Sequence, residues 1–275
     1  DFEEELIHLL TSVSGWKKDT CGWGNSDGAY ESVLRYPDEE DLLKNWANIL
    51  YNNNKSRDRL NEYPLTSGEM RQIMEQVTNL RTPLKLNGFI NGRSVSIVRD
   101  NPEDTEHLGK EISLKLFDRM EIAGGQSVYQ IAQQPKFPTK NRILNDRRGD
   151  VMLLINGMPV IHIELKRSGV PVSEACHQIE KYSHEGVFTG LFSLVQIFVA
   201  MTPEETLYFA NPGPDGRFNP SFYFHWADFD NEPINNWNEI VRTFLSIPMA
   251  HQMIGFYTIA DNSDGVLKVM RSYQV

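Results

Sequence analysis

At 275 residues, with 40% hydrophobic, 23% charged and 11% aromatic side chains, the chain can bury a core unaided as one or two domains, and its composition excludes wholesale disorder, collagen and coiled coil. No run of about 18 apolar residues occurs, which excludes a transmembrane helix. Against 37 Asp+Glu there are 27 Lys+Arg, a formal net charge of -10 and the opposite of a free-standing nucleic-acid binder, so any DNA contact must come from local patches or partners.

Phe2, Leu6, Leu9, Leu10 and Val13 recur at helical spacing behind Glu3, Glu4 and Glu5, acids that suit a helix N-terminus. The opening residues show no basic region followed by an apolar one, so no signal peptide is read there. Residues 14 to 36 have little periodicity. Leu42, Leu43, Trp46 and Leu50 predict a helix from Asp38 to about Tyr51, ended by Asn52-Asn53-Asn54. Thr66 and Glu69 form a capping box ahead of Met70, Ile73, Met74 and Val77, and Pro83 is expected to stop the helix that follows. Residues 38 to 82 therefore read as a helical elaboration.

The period then changes to two. Val95 and Ile97, then Val128 and Ile131, predict strands, with Asn87-Gly88 and Asn91-Gly92 as turns. Val151 to Ile155 is a continuous apolar run suited to a strand covered on both faces, and Asn156-Gly157 signals a tight hairpin into Val160 to Lys166. Ser173 is the expected N-cap of a helix to about Glu185, followed by strands over 194 to 201 and 206 to 210 and a helix over Trp237 to Phe244. Together these predict an α/β fold, a mixed sheet flanked by helices. Cys21 and Cys176 make no CxxC pair and no disulfide framework, which suits a reducing, cytoplasmic compartment.

The chemistry concentrates in the second hairpin strand. Alternation puts Ile161, Ile163 and Leu165 on one face, read as core, and His162, Glu164 and Lys166 on the other, read as charged. Asp150 enters from the neighbouring strand, so two carboxylates and an ammonium converge. Phosphodiester hydrolysis needs such a set: Mg²⁺ takes one or two protein carboxylates plus substrate oxygens, and a nearby lysine can stabilise developing charge or orient the attacking water. A bare Glu-x-Lys is usually a weak ion pair on a solvated strand. Here it stands in a rarer composite, with an aspartate closing a basic loop, an apolar strand and an Asn-Gly turn.

Arg148-Gly149-Asp150, Asn156-Gly157-Met158-Pro159, Glu164-Leu165-Lys166 and Gln178-x-x-x-Tyr182 resemble the nuclease domain of type I restriction endonuclease R (HsdR) subunits, IC-like branch, within the PD-(D/E)XK nuclease superfamily. Gly149 departs from the proline that many relatives carry before the aspartate. The resemblance implies a restriction-endonuclease-like sheet and a Mg²⁺ held by Asp150, Glu164 and the Leu165 carbonyl, with Lys166 as the catalytic lysine. Glu3 aligns loosely with an N-terminal glutamate that can complete the metal site, a helix-capping role standing beside that reading. Gln178 and Tyr182 match the family's glutamine-tyrosine motif, and i, i+4 spacing puts both on one helix face. Arg147 and Arg148 close a basic stretch with Lys136, Lys140 and Arg142 that suits phosphate contacts or support of the site. His162 reads first as structural and second as a ligand, and Cys176 as a small buried hydrophobe.

The implied function is Mg-dependent cleavage of double-stranded DNA without sequence specificity of its own, beside methyltransferase (modification) and specificity subunits and away from membranes. Residues 1-260 would form the endonuclease domain. Residues 261-275, with Arg271-Ser272-Tyr273-Gln274 resembling the start of a helicase-like motor, would form a linker and that motor's first residues. No Gly-x-x-x-x-Gly-Lys-[Ser/Thr] loop is present, so ATP is expected only through the motor. The rival reading is a non-catalytic docking module of the motor subunit. One geometric condition follows for the hairpin. A plain two-residue Asn156-Gly157 turn pairs Ile155 with Met158 and leaves Asp150 opposite Ile163, facing away from Glu164. A three-residue loop, or an equivalent bulge before Asp150, is therefore expected.

Overall fold

The computed structural model describes residues 1–16, 32–92, 94–122, 127–138, 147–261 and 263–275. In chain order these form α1 (Phe2–Ser12), β1 (Val33–Arg35), α2 (Glu39–Asn53), α3 (Ser67–Leu80), α4 (Pro83–Asn91), β2 (Ser94–Val98), β3 (Glu111–Lys115), β4 (Tyr129–Gln133), β5 (Val151–Ile155), β6 (Met158–Leu165), α5 (Val172–His184), β7 (Ile197–Met201), β8 (Thr206–Ala210), α6 (Trp237–Arg242), α7 (Ile247–Gly255), β9 (Thr258–Asp261) and β10 (Val266–Val269). Six strands make one mixed sheet in the order β1-β4-β5-β6-β7-β8. The β1/β4 and β6/β7 pairs are parallel, the others antiparallel. This is the expected mixed α/β architecture. Among the described residues, no helix is long and apolar enough to cross a membrane.

The apolar run Val151 to Ile155 is fully buried at the centre of this sheet, with β4 on one side and β6 on the other. Both faces of β6 are buried as well, because α5 packs across β6 and β7 and covers the side on which His162 and Glu164 lie. The face read as charged and solvated is thus interior.

The hairpin meets its geometric condition by the second of the two expected routes. Asn156 and Gly157 both take positive φ, 52° and 84°, and close a two-residue turn in which Ile155 pairs with Met158. The three-residue loop does not form. Asn156 is fixed in the turn by its side chain, which accepts from Val128 N–H at 2.8 Å and donates to the Leu116 carbonyl at 3.0 Å. A Cβ on Gly157 would lie 2.8 Å from Trp46 Cα, so the approach of α2 demands glycine as firmly as the turn does. The extra residue is absorbed further along. Leu154 pairs with Pro159 but Leu153 pairs with Ile161, which leaves Val160 as a bulge. Beyond it Val151 pairs with Ile163, and continuing that register sets Asp150 opposite Glu164.

Asp38 caps α2 in a box with Asp41, and Thr66 caps α3 in the expected box with Glu69. Several boundaries differ from those predicted. The α3 helix does end ahead of Pro83, at Leu80 with Arg81 in the left-handed conformation, but Pro83 also takes the first position of a further helix, α4. Asn87-Gly88 is therefore helical, its turn signal overridden by burial of Leu86 and Ile90. Pro171, not Ser173, is the N-cap of α5, and residues 190–194 form a 3-10 turn before β7. The β2 strand pairs with β3 in a separate two-stranded sheet, and β9 and β10 form another that spans residues 258–269.

Candidate active site

Asp150 sits immediately before β5, where backbone bonds on both sides fix its position: Gln134 N–H donates to its carbonyl at 2.8 Å, and Gly149 N–H donates to the Pro135 carbonyl at 3.1 Å. Its carboxylate reaches across the hairpin and accepts from Leu165 N–H at 2.7 Å. Glu164, one residue earlier on β6, is 3% exposed. Lys166 follows the strand, anchored by its N–H on the Met201 carbonyl of β7 at 2.9 Å. From there its ammonium lies 3.3 Å from Glu164 Oε1. The three residues singled out in the sequence therefore meet at one end of the sheet.

This is an uncomfortable arrangement for charge. Burial, then the Glu164 charge, pushes the Asp150 carboxyl from its ordinary 3.8 up to about 7; the Leu165 N–H and Lys166 oppose the shift, and Glu3 adds to it. Glu164 Oε2 is buried without a hydrogen-bond partner. Glu3 lies in the first turn of α1, where an acid suits the helix N-terminus. Its carboxylate accepts from the side chains of Gln133 at 2.7 Å and Gln134 at 3.0 Å, which carries α1 to the edge of the site.

The flanking residues brace the carboxylates. Tyr182 donates its hydroxyl to the Arg148 carbonyl at 2.9 Å, and burial followed by the Glu164 and Asp150 charges raises its pKa. Gln178 lies one turn earlier on α5, half-buried. Arg147 forms a two-pronged ion pair with Glu185 just past the end of α5, both contacts at 2.9 Å, so it ties the loop before Asp150 to the helix. Arg148 donates to the Gln134 carbonyl at 3.2 Å and sits over the Tyr36 ring. Lys140 and Arg142 lie outside the described residues, as does Cys21. Cys176 is buried, and burial pushes its thiol up to about 12, away from reactivity.

Sequence reasoning missed Phe137. Its ring meets those of His162, Tyr182, Phe188 and Phe192 edge-on and so packs against two residues that flank the carboxylates. An aromatic inside a basic stretch was the available signal. Gln133, Gln134 and Glu185 gave none, because their partners are far away in sequence.

The profile of a family described as "Type I restriction enzyme R protein N terminus" matches residues 1–217. This chain belongs to that family. It is 33% identical over 246 residues to the type I restriction enzyme SsaAORF53P endonuclease subunit of Staphylococcus saprophyticus. It is 30% identical over 246 residues to the SauCOLORF180P endonuclease subunit of Staphylococcus aureus. In both cases the match takes in 90% of this chain, which spans only 24% of the relative. A match to the EcoprrI endonuclease subunit of Escherichia coli is 36% identical over 130 residues, 46% of this chain and 41% of that protein. Family membership over most of the sequence agrees with the resemblance read from the motifs, and those motifs fall within the matched residues.

Proposed function

We propose that this chain is the endonuclease domain of a type I restriction complex, hydrolysing phosphodiester bonds of double-stranded DNA with Mg²⁺ and with no sequence specificity of its own. The observation that carries the reading is the Val160 bulge, which brings Asp150 and Glu164 to one face beside Lys166. Modification and specificity subunits would select the DNA, and a motor domain of the longer subunit would use ATP and move it.

The residues fit a hard divalent cation. Two anionic oxygens are driven together, one of them buried and unpartnered, and a cation relieves both conditions. Among the described residues no group of three or more His, Cys, Asp and Glu is arranged as a metal cage. Mg²⁺ needs none, since it commonly binds through one or two carboxylates and completes its shell with water and substrate phosphate. Asp150, Glu164 and the Leu165 carbonyl would hold it, with Glu3 behind them, and when bound it would supply charge neutralisation and a more acidic water. In the hydrolysis, a water oxygen bonds to phosphorus as one P–O ester bond breaks, which leaves a phosphate monoester and a hydroxyl. Lys166 places its ammonium where charge grows on the phosphate or orients the water. Tyr182 and the Arg147–Glu185 pair hold the backbone on which Asp150 rides. A pure docking module has no use for a repulsive buried pair of carboxylates, which disfavours the rival reading.

The test uses the full-length subunit in its assembled complex. Glu164→Ala and Lys166→Ala are each expected to lower DNA cleavage by roughly 10²- to 10³-fold or more while ATP-driven translocation continues. Cleavage at the unmodified rate in either variant overturns the assignment.

A further inference from the structure

His162 is completely buried on β6, two residues before Glu164 and on the same face. Its ring is boxed in by Phe137, Phe188 and Phe198, with centroids 5.9, 5.5 and 6.2 Å away. Neither ring nitrogen has a hydrogen-bond partner, and neither has Glu164 Oε2, which lies 3.4 Å from His162 Nε2. Two buried polar atoms without a formed hydrogen bond therefore lie 3.4 Å apart, at the long end of hydrogen-bonding distance. Each such atom costs stability unless the two satisfy one another. A carboxylate oxygen can only accept, so the proton of the pair belongs on Nε2.

The same ring also lies close to the backbone that leads into Asp150. A Cβ built on Gly149 would fall 2.8 Å from His162 Cε1 and 2.8 Å from Phe137 Cζ. Here the room that a side chain would take is filled by His162 and Phe137. The imidazole is thus wedged between the backbone that precedes Asp150 and the carboxylate of Glu164.

We propose that His162 is a positioning residue for the metal site: it donates from Nε2 to Glu164 Oε2, fixes the plane of that carboxylate, and sets the separation of the Glu164 and Asp150 strands by wedging against Gly149. A carboxylate oxygen has two lone pairs, so Oε2 can accept from His162 and still ligate a cation, the usual arrangement of a ligand held by an outer partner. The inference rests on the metal-site reading and adds a residue to it.

Mn²⁺ binding to the full chain, read from the electron paramagnetic resonance signal of the free ion, tests it without any cleavage assay. Glu164→Ala serves as the reference that removes a ligand. His162→Leu, which fills space but cannot donate, is expected to weaken Mn²⁺ binding by about 10- to 100-fold. His162→Gln, which restores an N–H donor, should stay within about threefold of the unaltered chain. If His162→Leu does not fold, His162→Phe, suited to the aromatic surround, makes the same comparison. Unaltered binding in the donor-less variant, with Glu164→Ala still abolishing it, overturns the role of His162 alone. Equal weakening by Leu and Gln reduces His162 to packing and also overturns it. Failure of the unaltered chain to bind Mn²⁺ any better than Glu164→Ala overturns the metal site itself and this proposal with it.

Discussion

Two buried clusters of charge among the described residues are built on opposite principles. Around Arg99, which is itself buried, every valence is used: the guanidinium donates to Glu69 at 2.7 Å, to Asp104 at 3.0 Å, and to the carbonyls of Leu60, Tyr63 and Pro64. Glu69 also accepts from the N–H groups of Thr66 and Asp100, and Asp104 from Asn61 and His107. These bonds join α3, the strand end at Arg99 and the irregular chain over 60–64 into one unit. At the end of β5 and β6, by contrast, two carboxylates share one lysine, one oxygen has no partner, and Asp150 is pushed toward neutrality. Full satisfaction marks a scaffold, and deliberate shortfall marks a place that awaits something.

The first way to break that contrast is to remove the cation of the satisfied cluster. Arg99→Met leaves Glu69 and Asp104 buried and unpaired, and is expected to cost about 3–5 kcal/mol in urea denaturation. A loss no larger than that of an ordinary surface substitution would erase the distinction drawn here.

Titrating the unsatisfied cluster should give a smaller effect, of opposite sign. Because the folded pKa of Asp150 is raised from 3.8 to about 7, the native chain keeps a proton between those pH values that the unfolded chain releases. Its stabilising contribution is full below about pH 4 and is lost as pH rises through about 7, provided no divalent metal is present. Asp150→Asn, which can still accept from Leu165 N–H, should flatten this slope and stabilise the metal-free chain by roughly 1–2 kcal/mol near pH 8. Denaturation midpoints measured on both sides of pH 7 decide the matter, and a slope that survives in Asp150→Asn would place the titrating group elsewhere.

The smallest effect belongs to the link between the site and its covering helix. A double-mutant cycle on Arg147 and Glu185 should return a coupling of about 0.5–1 kcal/mol, as for a partly exposed ion pair. The same Arg147→Ala change should leave the salt dependence of DNA binding by the assembled complex unaltered. A decrease in that slope by about one would make Arg147 a phosphate contact instead.

Much of the site could be read from local pattern. Alternation along Ile161 to Lys166 and the composite of short motifs brought Asp150, Glu164 and Lys166 together, and i, i+4 spacing aligned Gln178 with Tyr182. What escaped was set by distant chain. The His162/Glu164 face looked solvated because a strand's own sequence does not tell what covers it, and here α5, Phe137 and Phe188 do. The Arg147–Glu185 pair and the glutamine bonds to Glu3 span 38 and over 100 positions. The Glu111–Lys115 strand, with Ile112 and Leu114 alternating, was legible and passed over; α7 and the β9–β10 pair were missed as well.

The bulge at Val160 makes the site a matter of parity. A plain two-residue turn brings together only residues an odd number of positions apart, and Asp150 and Glu164 are separated by an even number. One added residue in β6 reverses the parity, and with it the side of the sheet on which the aspartate emerges. Insertion or deletion of one residue between these two acids therefore inverts the site, whereas a change of two merely slides it along the strands. The tolerance of this hairpin to length should alternate, poor for odd changes and better for even ones, a signature that no substitution of either carboxylate can imitate.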